Sequence, residues 1–525
     1  MKIHFPVLIC LLLITQHIFS QTDPALKYAA TITGEGLKKQ LSVIASADME
    51  GRETGTEGQR KAAAYIEGQF REAGLMPAPS LSSYQQYYTL LKDTLIPKTL
   101  KIGKQNYEFG KDYIVTSGTS GNSEFRSKHI IFAGYGIAAK NYDDYDGRDV
   151  KGKLVVIFTG EPKKDGIYSV SGTSQSSTWQ YNISGKAMLA KQKGATALLV
   201  INPSMDTIAT TLVENSKRSS IYVPDEKQAN TEKVPVITTI PRVLKTIFGD
   251  QEVKPLLEAA RAGTSLKEYK AEKKVRSKLV YVSKKTTSAA SNIIGFIEGS
   301  DKKGEYLFLT AHYDHLGKKG DIIYYGADDD GSGTAGVIEM AKAFAKAKAD
   351  GFMPRRTIVF MTVSGEEKGL WGSAYYSGHP LFPMDSTTAD LNIDMVGRLD
   401  PGRTKGDSTN YIYVIGDDKL STDLKPVTTS VNKTYTKLEL DYKFNDPDDP
   451  ERIYFRSDHY NFARKGVPVI FFFDGIHADY HKPTDTVDKI NFDVMEKRVR
   501  FIFLTAWSIA NRDNMMKRDL PIPEE

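Results

Sequence analysis

Cysteine is almost absent from this chain of 525 residues: the sequence holds one, Cys10, and it lies in an apolar stretch near the N-terminus. A disulfide needs two cysteines, and a thiol nucleophile needs one inside the folded domain. Cysteine catalysis is therefore excluded. We expect stability to come from packing, with bound metal as a further contribution.

Long apolar runs are also absent, apart from the one at the N-terminus. Lys2 precedes a largely apolar stretch over residues 5–14 and a polar stretch that ends at Ser20, which is the pattern of an export signal. A membrane helix needs about 20 apolar residues, and the later run over residues 467–473 fits a buried strand instead. We predict cleavage near Ser20 and a periplasmic or secreted protein; lipid attachment at Cys10 is disfavoured because that residue comes too early.

The chain has no strong excess of one charge. It holds 70 Lys and Arg against 65 Asp and Glu, a formal net charge of +5, with the two signs interspersed. The lysine-rich residues 267–285 alternate with Glu, Val and Tyr, which favours a solvated strand or linker over a nucleic-acid surface. We therefore expect no nucleic-acid partner.

Two catalytic patterns are missing too. The sequence contains neither the Gly-x-Ser-x-Gly turn of many serine hydrolases nor the His-Glu-x-x-His helix of single-zinc proteases. Any hydrolytic chemistry must use other residues.

The pattern along the chain predicts more than one domain, since 525 residues exceed the usual size of a single core. Apolar residues at helical spacing predict helices over residues 35–47 and 58–73. Short β-branched runs fill residues 107–275, and from residue 292 strands alternate with helices. Such alternation predicts an α/β fold with a largely parallel or mixed central sheet.

Histidines and carboxylates follow four of the predicted strands. They are His312-Tyr313-Asp314, Glu366-Glu367, Asp394 and the pair His477 and His481. The carboxyl ends of parallel strands meet at one edge of a sheet, where ligands bind in such folds. Helix capping or a structural hydrogen bond explains any single residue, but not their joint placement.

Three consecutive aspartates, Asp328-Asp329-Asp330, precede the predicted helix over residues 334–348. One of them can cap that helix, but adjacent carboxylates repel unless they share protons or a cation. Together with the strand-end residues they suit a pair of zinc ions bridged by one carboxylate and a water. Such a site hydrolyses amides without a covalent intermediate, while a neighbouring Glu carries the proton.

Five motifs follow one another in the sequence: His312-x-Asp314, Gly326-Ala327-Asp328-Asp329-Asp330-x-Ser332-Gly333, Glu366-Glu367, Asn392-Ile393-Asp394-Met395 and His481-x-Pro483-x-Asp485-Thr486. In this order they resemble the motifs of the di-zinc aminopeptidases of metallopeptidase family 28. That family includes bacterial leucyl aminopeptidase and the glutamate carboxypeptidases. The resemblance extends from the Gly51-Arg52-x-Thr54-Gly55 turn to the last predicted helix, and it implies a three-layer sandwich of the zinc-peptidase type that acts on peptides.

The resemblance implies a role for each motif residue. The implied metal ligands are His312 and Asp394 for one zinc, Glu367 and His481 for the other, and Asp329 as the bridge. The implied catalytic and orienting residues are Glu366 as general base and acid, Asp314 as the partner that orients His312, and Tyr454 as the hydroxyl that binds the developing oxyanion. His477 competes with His481, and Asp485 is a candidate partner of His481.

The segment over residues 107–275 is similar to the protease-associated domain that many family members carry as an insertion. The resemblance then divides the chain into an export signal over residues 1–20, an N-terminal peptidase part over 21–106, the β-rich insertion over 107–275 and the main peptidase part over 276–525. Oligomeric state stays open.

Two alternatives remain. A carboxypeptidase or dipeptidase would use the same zinc pair and would need a cation such as Arg398 or Arg456 for the substrate carboxylate. A binding protein of this fold without activity would have lost ligands or the catalytic Glu, whereas all of these residues are present.

Overall fold

The computed structural model describes residues 23–117, 123–217, 220–224, 234–269 and 272–523. The predicted export signal over residues 1–20 lies outside these ranges. Within them, none of the helices is both long and apolar enough to cross a membrane. The chain forms two compact units: the first consists of the chain up to Tyr88 and from Ala290 onward, and the second of Thr89–Ala289.

The first unit is built on a mixed sheet. Seven of its strands are, in spatial order, the last residues of Ser277–Ile297, then Arg356–Val363, Lys302–His312, Thr387–Ile393, Val469–Phe473, Tyr411–Ile415 and Glu439–Asp441. The four strands from Arg356–Val363 to Val469–Phe473 run parallel to one another. The outer neighbours of this group, Ser277–Ile297 and Tyr411–Ile415, are antiparallel to it. The predicted α/β class with a largely parallel central sheet is confirmed.

Both faces of this sheet are covered, because alternate residues of each strand point to opposite sides. Leu307 and Leu309 belong to one apolar core and Phe308 to the other. The first core also holds Leu41 of one flanking helix, and the second holds Phe462 of another. The result is the three-layer arrangement of helices, sheet and helices.

The helices predicted over residues 35–47, 58–73 and 334–348 begin and end within three residues of the predicted bounds, whereas Pro24–Ala29 and Leu424–Val431 were not predicted. The described α-helices of the first unit are eight. They are Pro24–Ala29, Gly34–Ile44, Glu57–Glu72, Gly333–Ala349, Trp371–Gly378, Leu424–Val431, His459–Ala463 and Phe492–Asn511. The helix Gly34–Ile44 begins there because the side chain of Thr33 accepts a hydrogen bond from the backbone N–H of Gly36, at 3.0 Å.

The second unit has a sheet of its own. Its strands, in spatial order, are Glu272–Lys273, Ile130–Phe132, Leu154–Phe158, Ala197–Ile201, Val236–Thr239 and Tyr113–Ser117. The four inner strands are parallel. Its described helices are Ile183–Gln192, Thr210–Lys217, Val243–Phe248 and Asp250–Ala262. The predicted insertion over residues 107–275 falls inside this unit.

Two long strands contain residues of both units. Gln85–Ile102 and Ser277–Ile297 carry the chain into and out of the second unit. In the second unit, the early part of Ser277–Ile297 pairs antiparallel with Ser123–Ser127. The lysine-rich residues around 278–285 therefore belong to a strand whose residues alternate between half-buried and buried up to Ser283 and are exposed at Lys284 and Lys285.

Candidate metal centre

The predicted strand-end residues lie at one edge of the central sheet in the first unit. His312 is the last residue of Lys302–His312, and Asp394 directly follows Thr387–Ile393. Glu366 and Glu367 come after Arg356–Val363, in a helical turn that begins beyond Gly365.

Asp329 lies between the two predicted histidine ligands. Its Oδ1 is 3.3 Å from Nε2 of His312, and its Oδ2 is 3.1 Å from Nε2 of His481. The side chain is almost fully buried, in the turn that leads into the helix Gly333–Ala349. Each oxygen therefore faces a different histidine, which is the arrangement a bridging carboxylate requires.

The other predicted ligands complete two groups. Oδ1 of Asp394 is 3.6 Å from Nε2 of His312, and Oε2 of Glu367 is 3.1 Å from Nε2 of His481. Two ligands of one tetrahedral zinc ion, each bonded at about 2.0 Å, lie about 3.3 Å apart. The donor types and their spacing thus fit zinc on both sides of Asp329.

Unpartnered buried atoms support this fit. Nε2 of His312 and Oδ2 of Asp329 are buried and have no hydrogen-bond partner among the described residues. Buried polar atoms almost always have a partner. A bound cation at these positions would supply the missing interactions.

The electrostatics of the group also call for positive charge. Burial lowers the pKa of His481, but contacts with Asp329 and Glu367 raise it to about 10. Burial likewise lowers the pKa of His312, yet the charges of Asp394 and Glu366 raise it well above its usual value. The carboxylates thus favour a cation at both histidines, and a metal dication supplies it more strongly than a proton does.

Glu366 lies beside the ligand groups without joining them closely. Its Oε2 is 3.9 Å from Nε2 of His312, and its side chain lines the same cavity as Asp329 and Asp394. Burial raises the pKa of Glu366 well above its usual value, with His312 opposing this shift and Glu367 adding to it. A carboxylate of raised basicity that faces a cavity is suited to accept and return a proton.

Asp314 connects several parts of the site. Its Oδ2 accepts a hydrogen bond from Oγ1 of Thr54 at 2.6 Å, and its Oδ1 accepts one from the backbone N–H of Glu366 at 3.2 Å. Nδ1 of His312 is 3.2 Å from the backbone carbonyl oxygen of Asp314 and 3.7 Å from Oδ1. Asp314 thus contacts His312 and also accepts a hydrogen bond from the backbone N–H of Glu366, the residue predicted to act as the base.

The two neighbours of Asp329 bind backbone instead of facing the histidine ligands. Oδ1 of Asp330 accepts hydrogen bonds from the N–H groups of Gly333 and Met395, at 2.8 and 3.2 Å. Oδ1 of Asp328 accepts one from Gly397 at 2.8 Å. Only the middle aspartate of the run reaches both histidines.

The two tyrosines near the motifs are placed differently. Tyr454 is buried and does not line the cavity, although the neighbouring Ile453 does. Tyr480 lines it, with its ring stacked on that of His481 at a centroid distance of 3.9 Å. Burial, and then the charges of Asp329 and other site carboxylates, raise the pKa of Tyr480. The structure therefore does not bring Tyr454 into the group and does bring Tyr480.

Three further residues that the sequence left open have clear positions. Nε2 of His477 is 3.3 Å from Oδ2 of Asp328, so it contacts the run on another side from His481. Arg398 is engaged by Asp479, at 3.0 Å. Arg456 lines the cavity and remains 40% exposed at its side chain.

Sequence reasoning missed the role of Arg52. Its guanidinium is fully buried and donates hydrogen bonds to the backbone carbonyl oxygens of Ile44, Tyr313, Tyr325 and Gly326, at 2.7 to 2.9 Å. It thereby ties the His312 strand end to the loop before Asp329. The sequence shows an arginine in a glycine-rich turn. It cannot identify the partners of that arginine, because they are backbone carbonyl groups, which every residue has.

Comparison with known proteins agrees with this geometry. Residues 292–506, which contain every predicted ligand, match the model of peptidase family M28. This segment belongs to peptidase family M28. The expected resemblance is thereby confirmed for the larger part of the first unit.

Relatives of the M28 segment are distant. A probable zinc metalloprotease of Leptosphaeria maculans is 25% identical over 264 residues, 43% of this chain and 58% of that protein. Aminopeptidase YwaD of Bacillus subtilis is 24% identical over 242 residues, 44% of this chain and 47% of that protein. The chain spans about half the length of the curated relatives it matches.

Solved structures share the fold. An aminopeptidase from Aneurinibacillus sp. strain AM-1 has a TM-score of 0.54 at 20% identity and covers 95% of this chain and 98% of its own. BSAP, a zinc aminopeptidase from Bacillus subtilis, has a TM-score of 0.52 at 19% identity and covers 93% and 99%. At this identity the likeness is one of fold.

Proposed function

We propose that this chain is an exported, zinc-dependent aminopeptidase that binds two zinc ions and hydrolyses the N-terminal peptide bond of peptides. The observation that carries the proposal is the Asp329 carboxylate, which divides its oxygens between His312 and His481. Asp394 and Glu367 supply the remaining ligands. The M28 match and the aminopeptidase names of the relatives support it.

The chemistry at this site follows from the donor set. Two zinc ions held there would polarise the scissile carbonyl and lower the pKa of a bound water. Glu366 takes a proton from the attacking water as the new C–O bond forms, and then passes it to the leaving amine as the C–N bond of the peptide breaks. Asp314 keeps Glu366 in place through its backbone N–H.

A tyrosine hydroxyl in the cavity stabilises the charge that develops on the carbonyl oxygen. The sequence assigns this role to Tyr454, whereas the position of Tyr480 beside His481 favours Tyr480. A direct comparison of Tyr454→Phe and Tyr480→Phe decides between them. We expect Tyr480→Phe to lower kcat by about 10- to 100-fold with little change in KM, and Tyr454→Phe to leave kcat nearly unchanged.

The cavity suits a free amine next to an apolar side chain. Asp394 and Glu366 are acidic groups on its wall, and an α-ammonium group is attracted to such carboxylates. Most of its other lining side chains are apolar or aromatic, namely Met395, Ile453, Phe471, Phe473, Ile476 and Tyr480. We therefore expect leucine and phenylalanine at the substrate N-terminus.

Export through residues 1–20 and a protease-associated module over residues 107–275 belong to the same proposal. The first follows from the sequence pattern at the N-terminus, and the second from the resemblance to other family members. Determining the N-terminal residue of the protein recovered from the host periplasm or medium tests the first, with cleavage near Ser20 expected.

The test of activity compares leucine p-nitroanilide with its N-acetylated form and with N-blocked dipeptides. The proposal expects hydrolysis of the free-amine substrate, loss of activity on chelation and recovery with zinc. Hydrolysis of the blocked substrates alone would contradict it.

One observation favours a carboxypeptidase or dipeptidase as the second candidate. Arg456 is a partly exposed cation on the cavity wall, 3.4 Å from the hydroxyl of Tyr480 and 3.5 Å from Glu451. It could bind a substrate carboxylate. In that case Arg456→Ala would raise KM for dipeptides at least tenfold while leaving anilide hydrolysis unchanged; the aminopeptidase proposal expects no such difference.

A further inference from the structure

A third histidine lies at the Glu367 side of the candidate metal centre, and none of the roles above uses it. His315 follows Asp314 directly, is fully buried, and places Nδ1 2.7 Å from Oε1 of Glu367 and 3.9 Å from Oδ2 of Asp329. Its ring meets that of His481 edge to face, with centroids 5.9 Å apart. The imidazole therefore belongs to the immediate surroundings of the proposed zinc ligands.

The surrounding backbone is built to hold this ring. Gly326 has a φ of +55°, and a Cβ there would lie 2.5 Å from Cγ of His315, so another residue would displace the imidazole. The backbone carbonyl oxygen of Arg52 accepts a hydrogen bond from the backbone N–H of His315, at 3.3 Å. The guanidinium of Arg52 donates one to the backbone carbonyl oxygen of Gly326, at 2.9 Å. The same buried arginine thus fixes both the histidine and the glycine that makes room for it.

His315 differs from the predicted histidine ligands in its distance to the nearest carboxylate oxygen. The distances from His312 and His481 to the predicted carboxylate ligands are 3.1 to 3.6 Å, near the value of about 3.3 Å for two ligands of one zinc ion. Nδ1 of His315 and Oε1 of Glu367 are 2.7 Å apart, closer than these ligand-to-ligand spacings, and neither atom has a hydrogen-bond partner elsewhere among the described residues. An ionised carboxylate only accepts, so a hydrogen bond between the two requires the hydrogen on Nδ1.

The two oxygens of Glu367 are then divided between two histidines. Oε1 lies against His315, while Oε2 lies 3.1 Å from His481. Carboxylate ligands of metals are commonly oriented by a second hydrogen-bonding group, and removing that group weakens metal binding by about 10- to 100-fold.

We propose that His315 is a positioning residue: it binds Oε1 of Glu367 and directs Oε2 toward the zinc on the His481 side. The proposal rests on the two-zinc function proposed above. It makes the two sides of the pair unequal. On the His312 side, Oδ2 of Asp394 accepts a hydrogen bond from the hydroxyl of Ser457 at 2.7 Å, and no second histidine among the described residues takes that place.

The test counts zinc in the full-length protein after dialysis against graded concentrations of a chelator. His315→Leu removes the donor while keeping a similar volume, and His315→Asn keeps an amide N–H near the position of Nδ1. The matched control is His129→Asn in the second unit, where Nδ1 of His129 is 2.6 Å from Oε1 of Glu272. Melting of the metal-free proteins checks folding, and His315→Ala replaces the leucine variant should that variant not fold.

We expect the wild type, the control and His315→Asn to retain two zinc ions over the same chelator range. His315→Leu should lose one of them at a chelator strength about 10- to 100-fold lower and keep the other as the wild type does. Equal retention of both ions by His315→Leu and the wild type would overturn the proposal, as would a His315→Asn variant as defective as His315→Leu. A wild type that never binds two ions would instead overturn the proposed function.

Discussion

The carboxylate of Asp485 accepts a hydrogen bond from the backbone N–H of Asp329, with 3.2 Å between Oδ2 and N. The same oxygen accepts the N–H of Asp328 at 3.0 Å, and the Asp485 side chain is fully buried. Asp485 thus holds the turn from which the proposed bridging carboxylate projects. Its motif position suggests a partner for His481, but its contacts are with the backbone of the aspartate run.

This contact gives a first prediction. We expect Asp485→Ala to weaken zinc binding by about 10- to 100-fold, because the Asp329 turn loses two hydrogen bonds. Asp485→Asn keeps an acceptor oxygen and should retain most of the affinity. Zinc titration against a competing chelator measures the affinity of both variants. Equal affinity in wild type and Asp485→Ala would show that these two hydrogen bonds are not needed to hold the turn.

The second prediction concerns Glu366. Glu366→Gln should keep the fold and the bound zinc but lower kcat by about 10³-fold, because the amide cannot accept the proton of the attacking water. Metal content by elemental analysis and kcat on leucine p-nitroanilide check the two parts. A near-normal kcat in this variant would refute the assigned role.

The third prediction concerns Asp329 and the stability that metal provides. Asp329→Ala should lose metal, because both histidine groups share this carboxylate. Ligands that bind only the folded state raise its stability, so zinc should raise the melting temperature of the wild type and chelation should lower it. The melting temperature of Asp329→Ala should respond to neither; a zinc-dependent shift in this variant would count against the bridge.

The fourth prediction uses a histidine outside the ligand groups. His459 is fully buried against Phe471, and burial lowers its pKa to about 3, a shift that the backbone of Tyr454 only partly opposes. The unfolded chain takes up this proton below a pH of about 6.5, whereas the folded protein does not until a pH of about 3. The contribution of neutral His459 to stability is therefore complete above pH 6.5 and declines as the pH falls.

His459→Phe removes this proton uptake. Relative to the variant, the wild type should lose about 2 kcal/mol of unfolding free energy between pH 7 and pH 5. Denaturant unfolding at both pH values, with metal-free protein, measures the difference. Parallel pH dependence in the two proteins would mean that His459 takes up its proton in the folded state as well.

The sequence predicts the α/β pattern and the convergence of the ligands because both depend on local features. Apolar strands that end in His312 or Asp394 can be recognised from adjacent residues, and parallel strands bring such ends together. Helix capping accounts for only one of the three aspartates. The structure shows that Asp328 and Asp330 accept hydrogen bonds from backbone N–H groups, and no motif specifies these partners.

Contacts between segments that are distant in the chain could not be predicted from the sequence. Arg52 binds carbonyl oxygens of Tyr313 and Gly326, more than 250 positions away in the chain, and Thr54 binds Asp314 across a similar separation. The resemblance implies Tyr454 as the hydroxyl of the site, and only the three-dimensional arrangement shows that Tyr480 lines the cavity. The strand Gln85–Ile102 was missed because polar and apolar residues are mixed along much of its length.

The central claim is that Asp329 joins two zinc ions into one hydrolytic site. The most direct measurement follows the hydrolysis of leucine p-nitroanilide by metal-free protein as zinc is added stepwise, with bound zinc counted at each step. The account predicts that activity appears with zinc and reaches its maximum at two ions per chain, while N-acetyl-leucine p-nitroanilide stays intact. Full activity in the metal-free protein, or hydrolysis of the acetylated substrate at the same rate, would contradict it.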